Sequence, residues 1–147
     1  MPKPKRFKLS ENFQPLAVEE DDELFPNGIF EFNITKLLAF IGSNPDKFAP
    51  EKVDVKSLSW NSADSLDEST VRAANISNPI ILAEISPGRF NVIDGHHRLE
   101  RANRDGVEKM PAIRIYADQH VAFLTSEKAY KIYVGYWNSK VEDAINC

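Results

Sequence analysis

The sequence predicts an α+β fold, a small mixed sheet with flanking helices and a helical carboxyl-terminal extension. Three observations carry this: short apolar runs bounded by Pro, Gly and Asn, helical periodicity between those runs, and a long aromatic-rich helical pattern after residue 126. At 147 residues the chain is expected to be a single domain spanning residues 29–147, with carboxyl-terminal helices from about 118, preceded by an arm over residues 1–28. The arm carries four prolines, a basic start (Lys3, Lys5, Arg6, Lys8) and the acidic run 19–23. Its apolar residues, Phe7 and Phe13 among them, are numerous enough for it to lie against the domain.

Pro26-Asn27-Gly28 reads as a turn. The alternating Ile29, Phe30 and Phe32 then give a strand over 29–33, and Ile34, Leu37, Leu38 and Ile41 a helix over 34–42. Pro45 and Pro50 bracket a loop, and Val53 to Leu58 alternates as a half-buried strand. Ser65-Leu66-Asp67-Glu68 has the form of a capping box, opening a helix to about Asn75 that Asn78-Pro79 follows. Ile80 to Ile85 is a buried strand, Ser86-Pro87-Gly88 a hairpin turn, and Arg89 to Ile93 the returning strand. Asp94-Gly95 is a sharp turn and His96 to Asp105 a helix that Gly106 stops. Met110 to Tyr116 adds a strand, Asp118 to Leu124 a short helix, and Ser126 begins a longer one bearing Ala129, Tyr130, Ile132, Tyr133, Tyr136 and Trp137. Ser139-Lys140-Val141-Glu142 repeats the capping-box form and predicts a separate helix over 140–146.

The only cysteine is Cys147, which leaves no disulfide framework, CxxC motif or cysteine zinc site and makes a cytoplasmic home the simplest expectation. No apolar run approaches the roughly 20 residues of a spanning helix, so no membrane partner is expected. Net charge is −4. Nucleic-acid affinity rests largely on Lys and Arg, so DNA binding would require a local basic face, for which Arg89, Arg98, Arg101, Arg104, Lys109 and Arg114 are the candidates. Interleaved Asp94, Glu100, Asp105 and Glu108 make salt-bridged solvation the plainer role for the outer ones.

The functional signal is concentrated in Asp94-Gly95-His96-His97-Arg98. A turn from a buried strand into a helix leaves backbone N–H groups at the positive end of the helix dipole, and Gly95 allows close approach. Phosphate-binding residues are expected to be Gly95, His96, His97 and Arg98, with Arg101 a further anion contact. Asp94 can cap the helix, hold a magnesium ion or orient a nucleophilic hydroxyl, and Asp94, His96 and His97 are the catalytic candidates. Adjacent histidines point about 100° apart and make a poor chelating pair, so a structural zinc site is not expected. A protonated imidazole could stabilise charge developing during phosphoryl transfer. Such a reaction also needs a base, for which Glu31, Glu51, Asp54, the 19–23 run and His120 are weak candidates. Trp60 and the aromatic residues from Tyr130 to Trp137 could stack a base, although a stripe at helical spacing is more often core.

The Asn78-Pro79-Ile80-Ile81-Leu82 strand entry, the hairpin, Ile93-Asp94-Gly95-His96-His97-Arg98, the helix to Gly106 and Met110-Pro111-Ala112-Ile113 together resemble the ParB/sulfiredoxin superfamily over residues 53–116. The resemblance implies a small α+β domain in which a Gly-x-x-Arg or Gly-x-His-Arg turn holds nucleotide phosphates, with Gly95, His97 and Arg98 at those positions. Sulfiredoxins carry a catalytic cysteine where His96 stands, so sulfiredoxin chemistry is excluded. Chromosome-partitioning ParB proteins carry a Gly-Glu-Arg-Arg turn and a helix-turn-helix domain, and position 97 lacks the second arginine, so plasmid segregation is not expected. The Asp-Gly-His-His-Arg form is similar to that of archaeal ADP-dependent free-serine kinases, which implies phosphoryl transfer to a small hydroxyl compound. The leading expectation is thus a nucleotide- or phosphate-binding ParB-like domain, a candidate phosphotransferase or nucleotide hydrolase with nucleotide and magnesium as cofactors. A ParB-like DNA-binding or nuclease module and a non-enzymatic protein-interaction module are the alternatives.

Overall fold

Two short strands are the first regular elements of the described chain, which in this computed structural model comprises residues 4–27, 30–58 and 66–145. β1 (Leu24–Asn27) pairs antiparallel with β2 (Phe30–Asn33), Phe25 opposite Phe32. Pro26 and Asn27 thus lie in a strand where the sequence suggested a turn: Pro at an isolated strand pair lacks one donor but needs no second ladder. Ile29, Trp60, Ser65 and Cys147, which figure in the sequence expectations, lie outside the described residues. α1 (Ile34–Ser43) follows β2 directly, and the buried Asn33 caps it by accepting the Lys36 N–H at 3.1 Å.

β3 (Glu51–Asp54), β4 (Ile80–Ser86), β5 (Arg89–Asp94) and β6 (Lys109–Ile115) form a four-stranded sheet in the order β3-β6-β4-β5. β3 runs antiparallel to β6, and β6 parallel to β4. The sheet is therefore mixed, as expected. The interior place of β4 explains its near-continuous apolar run, all but Glu84 buried. β3 starts and stops earlier than the strand expected at 53–58. Residues Val55–Ser57 instead make a 3-10 turn, closed by Leu58 N–H to the Val55 carbonyl at 3.2 Å and Ser57 Oγ to the Asp54 carbonyl at 2.7 Å.

The remaining helices are α2 (Glu68–Ala73), α3 (His96–Arg104), α4 (Ala117–His120) and α5 (Glu127–Ile145). α2 is capped by Asp67, whose carboxylate accepts the Thr70 N–H. It ends before Asn75, whose side chain takes the Ser77 N–H at 3.0 Å and turns the chain early. The short helix near residue 120 splits into α4 and a 3-10 turn at Val121–Phe123. α5 runs unbroken, so the second helix expected from Ser139 does not exist. The Ser139 hydroxyl donates back to the Tyr136 carbonyl at 2.7 Å and leaves the helix intact.

The chain divides into two compact units. One comprises Asn44–Ala83 and Phe90–Ile115; Val53, Val55, Ile80, Leu82, Val92, Leu99 and Met110 are the larger members of its core. The other comprises Met1–Ser43, Glu84–Arg89 and Tyr116–Cys147. Within it, the aromatic stripe of α5 is packing: Tyr133 and Trp137 are buried and Tyr130 stacks on Phe13 at 3.9 Å. Asn138 exchanges hydrogen bonds with the Phe7 main chain at 2.7 and 3.0 Å, and Trp137 Nε1 donates to the Lys5 carbonyl at 2.8 Å. The amino-terminal segment therefore lies along α5. No helix among the described residues is long and apolar enough to cross a membrane.

Candidate functional site

β5 delivers Asp94 to a turn in which Gly95 takes φ 98° and opens α3 as its N-cap. A side chain there would be strained by the backbone and obstructed in space, since a Cβ would lie 2.6 Å from Ile80 Cγ2 and 2.8 Å from Arg98 Nη2. The Leu99 N–H reaches the Gly95 carbonyl at 2.9 Å to close the first turn. The N–H groups of His97 and Arg98 precede that bond, in the first turn of the helix. The strand, glycine turn and helix start read from the sequence are present.

Asp94 does not cap the helix. Its carboxylate accepts from Arg98 Nη2 at 3.1 Å, an i,i+4 pair with both side chains about a quarter exposed. Gly95 occupies the capping position with no side chain to offer, which is why the capping role fails. Arg98 Nε is buried without a partner among the described residues, so one donor of the guanidinium fork is uncommitted.

His96 is half-buried, and burial pushes its imidazole below the ordinary histidine range; His97 adds to the effect and Asp94 opposes it. Burial thus shifts His96 toward its neutral form. His97 is turned toward α2, where its Nε2 accepts the Asp67 N–H at 3.3 Å. That bond requires an unprotonated Nε2. Asp67 itself is held below the usual carboxylate range, chiefly by hydrogen bonds from Thr70 and Ser69. Asp67 and Ile80 are the site residues that sequence reasoning missed; the Asp-Glu-Ser-Thr start of α2 was the available signal for the first.

The outer arginines are occupied. Arg101 Nε bonds Asp105 at 2.8 Å and its Nη1 the Arg72 carbonyl, while Arg104 bridges Glu68 and the buried Glu100. Arg101 as an anion contact is therefore not prepared by this geometry. Glu51 pairs with Arg114 at 2.6 Å, and Asp54 lies 3.9 Å from Lys109. Glu31 and His120 belong to the other unit, where Glu31 accepts from Thr125 at 2.8 Å and His120 is wholly buried. No group of three His, Cys, Asp or Glu side chains among the described residues is arranged to hold a metal.

A family model described as the ParB N-terminal domain matches residues 46–129, which take in the sheet, the Gly95 turn and α3. The chain belongs to the ParB N-terminal domain family. Its α+β architecture is that of a ParB-like domain. One similar solved structure is the C-terminally truncated chromosome-partitioning protein ParB from Caulobacter crescentus complexed with CTP-gamma-S, 16% identical with a TM-score of 0.36. The match covers 58% of this chain and 51% of that one, so this ParB-like chain spans about half the length of its relative. No curated protein matches the sequence.

Proposed function

We propose that the Asp94–Arg98 turn is a phosphate site and that this ParB-like domain binds a nucleotide there. The observation that carries the reading is Gly95, held at positive φ against Ile80 and opening α3 with the partly uncommitted Arg98 fork one turn inside. In this reading the main-chain N–H groups of His96 and His97 and the Arg98 guanidinium receive the phosphate oxygens. Asp94 is the carboxylate that would hold an accompanying magnesium ion, releasing Arg98 to the anion.

Binding is supported further than turnover. Phosphoryl transfer or nucleotide hydrolysis, the extension of this reading, would draw on Asp94, His96 and His97, whose neutral imidazoles would serve as acceptors or bases. A DNA-binding or nuclease module is the weaker reading, because Arg101 and Arg104 of α3 are committed to carboxylates and offer little free positive charge.

Thermal unfolding of the full chain against CTP, ATP, ADP and GTP, each with and without magnesium, tests the reading. At about 100 times the dissociation constant, a bound nucleotide adds about 2.7 kcal/mol and raises Tm by several degrees. The shift should vanish in Arg98→Ala. A wild-type protein indifferent to every nucleotide overturns the proposal.

A further inference from the structure

β5 begins, at Arg89, beside a cavity of about 440 Å³ that lies wholly within the unit containing α5. Ser86, Pro87 and Arg89 line it from the hairpin, and Tyr136, Lys140 and Asp143 from one face of α5, spaced four and then three residues apart. The volume falls within the range of small-molecule sites.

The charges are what set this cavity apart. Arg6, Arg98, Arg104 and Arg114 each find a carboxylate. Arg89, Lys140 and Asp143 line one cavity, and none of the three has an ion pair within 4 Å among the described residues. Opposite charges sharing a cavity and held apart present two cationic ends and one anionic end to whatever enters. Lys140 is positioned by its ammonium lying 5.5 Å from the centre of the Tyr136 ring, which reduces the freedom it would lose on binding.

We propose that this cavity binds a small acidic amino acid, aspartate or glutamate in kind. Two carboxylates and one ammonium match Arg89, Lys140 and Asp143 in number and sign, and the ligand's charge of −1 balances a lining charge of +1. A phosphate dianion fits worse: it has no cationic group to offer Asp143 and would be repelled by it. Arg89 takes one carboxylate through its fork and Lys140 takes the other as a point charge. Asp143 receives the ammonium. The site stands independently of the nucleotide reading, since it uses no residue of the Gly95 turn.

Isothermal titration of the full chain with L-glutamate, L-aspartate, glutarate and inorganic phosphate tests it. Saturable binding of an acidic amino acid is expected, weakened about 10-fold or more in Arg89→Ala and in Lys140→Ala. Asp143→Asn should erase the preference for glutamate over glutarate, which lacks the ammonium. Arg98→Ala should leave this binding unchanged. Because Arg89 and Lys140 are exposed, their variants should unfold at the wild-type temperature. No saturation up to about 10 mM in the wild type overturns the proposal. So does glutarate or phosphate binding as tightly as glutamate.

Discussion

The two ends of β5 each carry a glycine at positive φ, Gly88 at 75° and Gly95 at 98°, and they are glycines for different reasons. A Cβ added at Gly88 would meet nothing within 4 Å, whereas one at Gly95 would run into Ile80 and Arg98. Gly88 answers only to the backbone of a hairpin turn. Gly95 answers also to a packed floor and a charged roof, so the turn it occupies is fixed in position. Glycine therefore supplies conformation at one end of the strand and both conformation and clearance at the other.

The largest effect is expected at the glycines themselves. Gly95→Ala should cost about 4 kcal/mol, from left-handed strain and overpacking against Ile80 together. Gly88→Ala should cost about 1 kcal/mol, from strain alone. Urea unfolding of the two variants measures both, and equal losses would remove the distinction.

The effect of pH at the strand's first end is somewhat smaller. The hairpin there is tied to Glu84, whose carboxylate accepts the Gly88 and Ala117 N–H groups at 3.1 and 3.2 Å. The Glu84 carbonyl meets His120 Nε2 at 2.5 Å and accepts the Tyr133 hydroxyl at 3.2 Å. Burial pushes the His120 imidazole down to about 4, so the folded state holds it neutral where the unfolded chain would protonate it. With a lowered folded value, the stabilisation is complete above the ordinary histidine range and is lost as pH falls from about 6.5 toward about 4. The loss should amount to about 3 kcal/mol, with His96 adding in the same direction, and the slope of stability against pH should flatten in His120→Gln.

The smallest effect belongs to the second end. Asp94→Asn, which removes a partly exposed i,i+4 partner of Arg98, should cost about 0.5 kcal/mol of stability. The same change should strengthen binding of magnesium-free nucleotide, because it lifts a negative charge from the turn and frees the Arg98 fork. Titration of the variant in the presence of a chelator checks it, and weaker binding would mean that Asp94 assists the anion directly.

The elements that proved legible from sequence were those with a strong local cause. β4 and β5 follow from an apolar run around a Pro-Gly turn, and α3 from glycines on both sides of a helical period, Gly106 at φ 70° closing it. The misread elements turned on side-chain bonds that sequence leaves open. Ser139 can cap a helix or bond back within one, and the covering of α5 by the amino-terminal segment favours the continuous helix. Asp94 can cap or pair, and Arg98 one turn later decides for the pair. The partner of His97 was illegible because Asp67 lies 30 residues away and meets it only through tertiary packing.

The bonds joining Phe7 to Asn138 span 131 residues of sequence. A ribosome extending the chain at about 5–20 residues per second completes α5 roughly 1.5–6 seconds after the last residue of the unit bearing the Gly95 turn. During that interval Phe7 and Phe13 have no α5 to rest on, and β2 has α1 but lacks its packing against α5. Vectorial synthesis thus gives the nascent polypeptide a fixed schedule, with the interrupting unit ready first and the interrupted one waiting for its last helix.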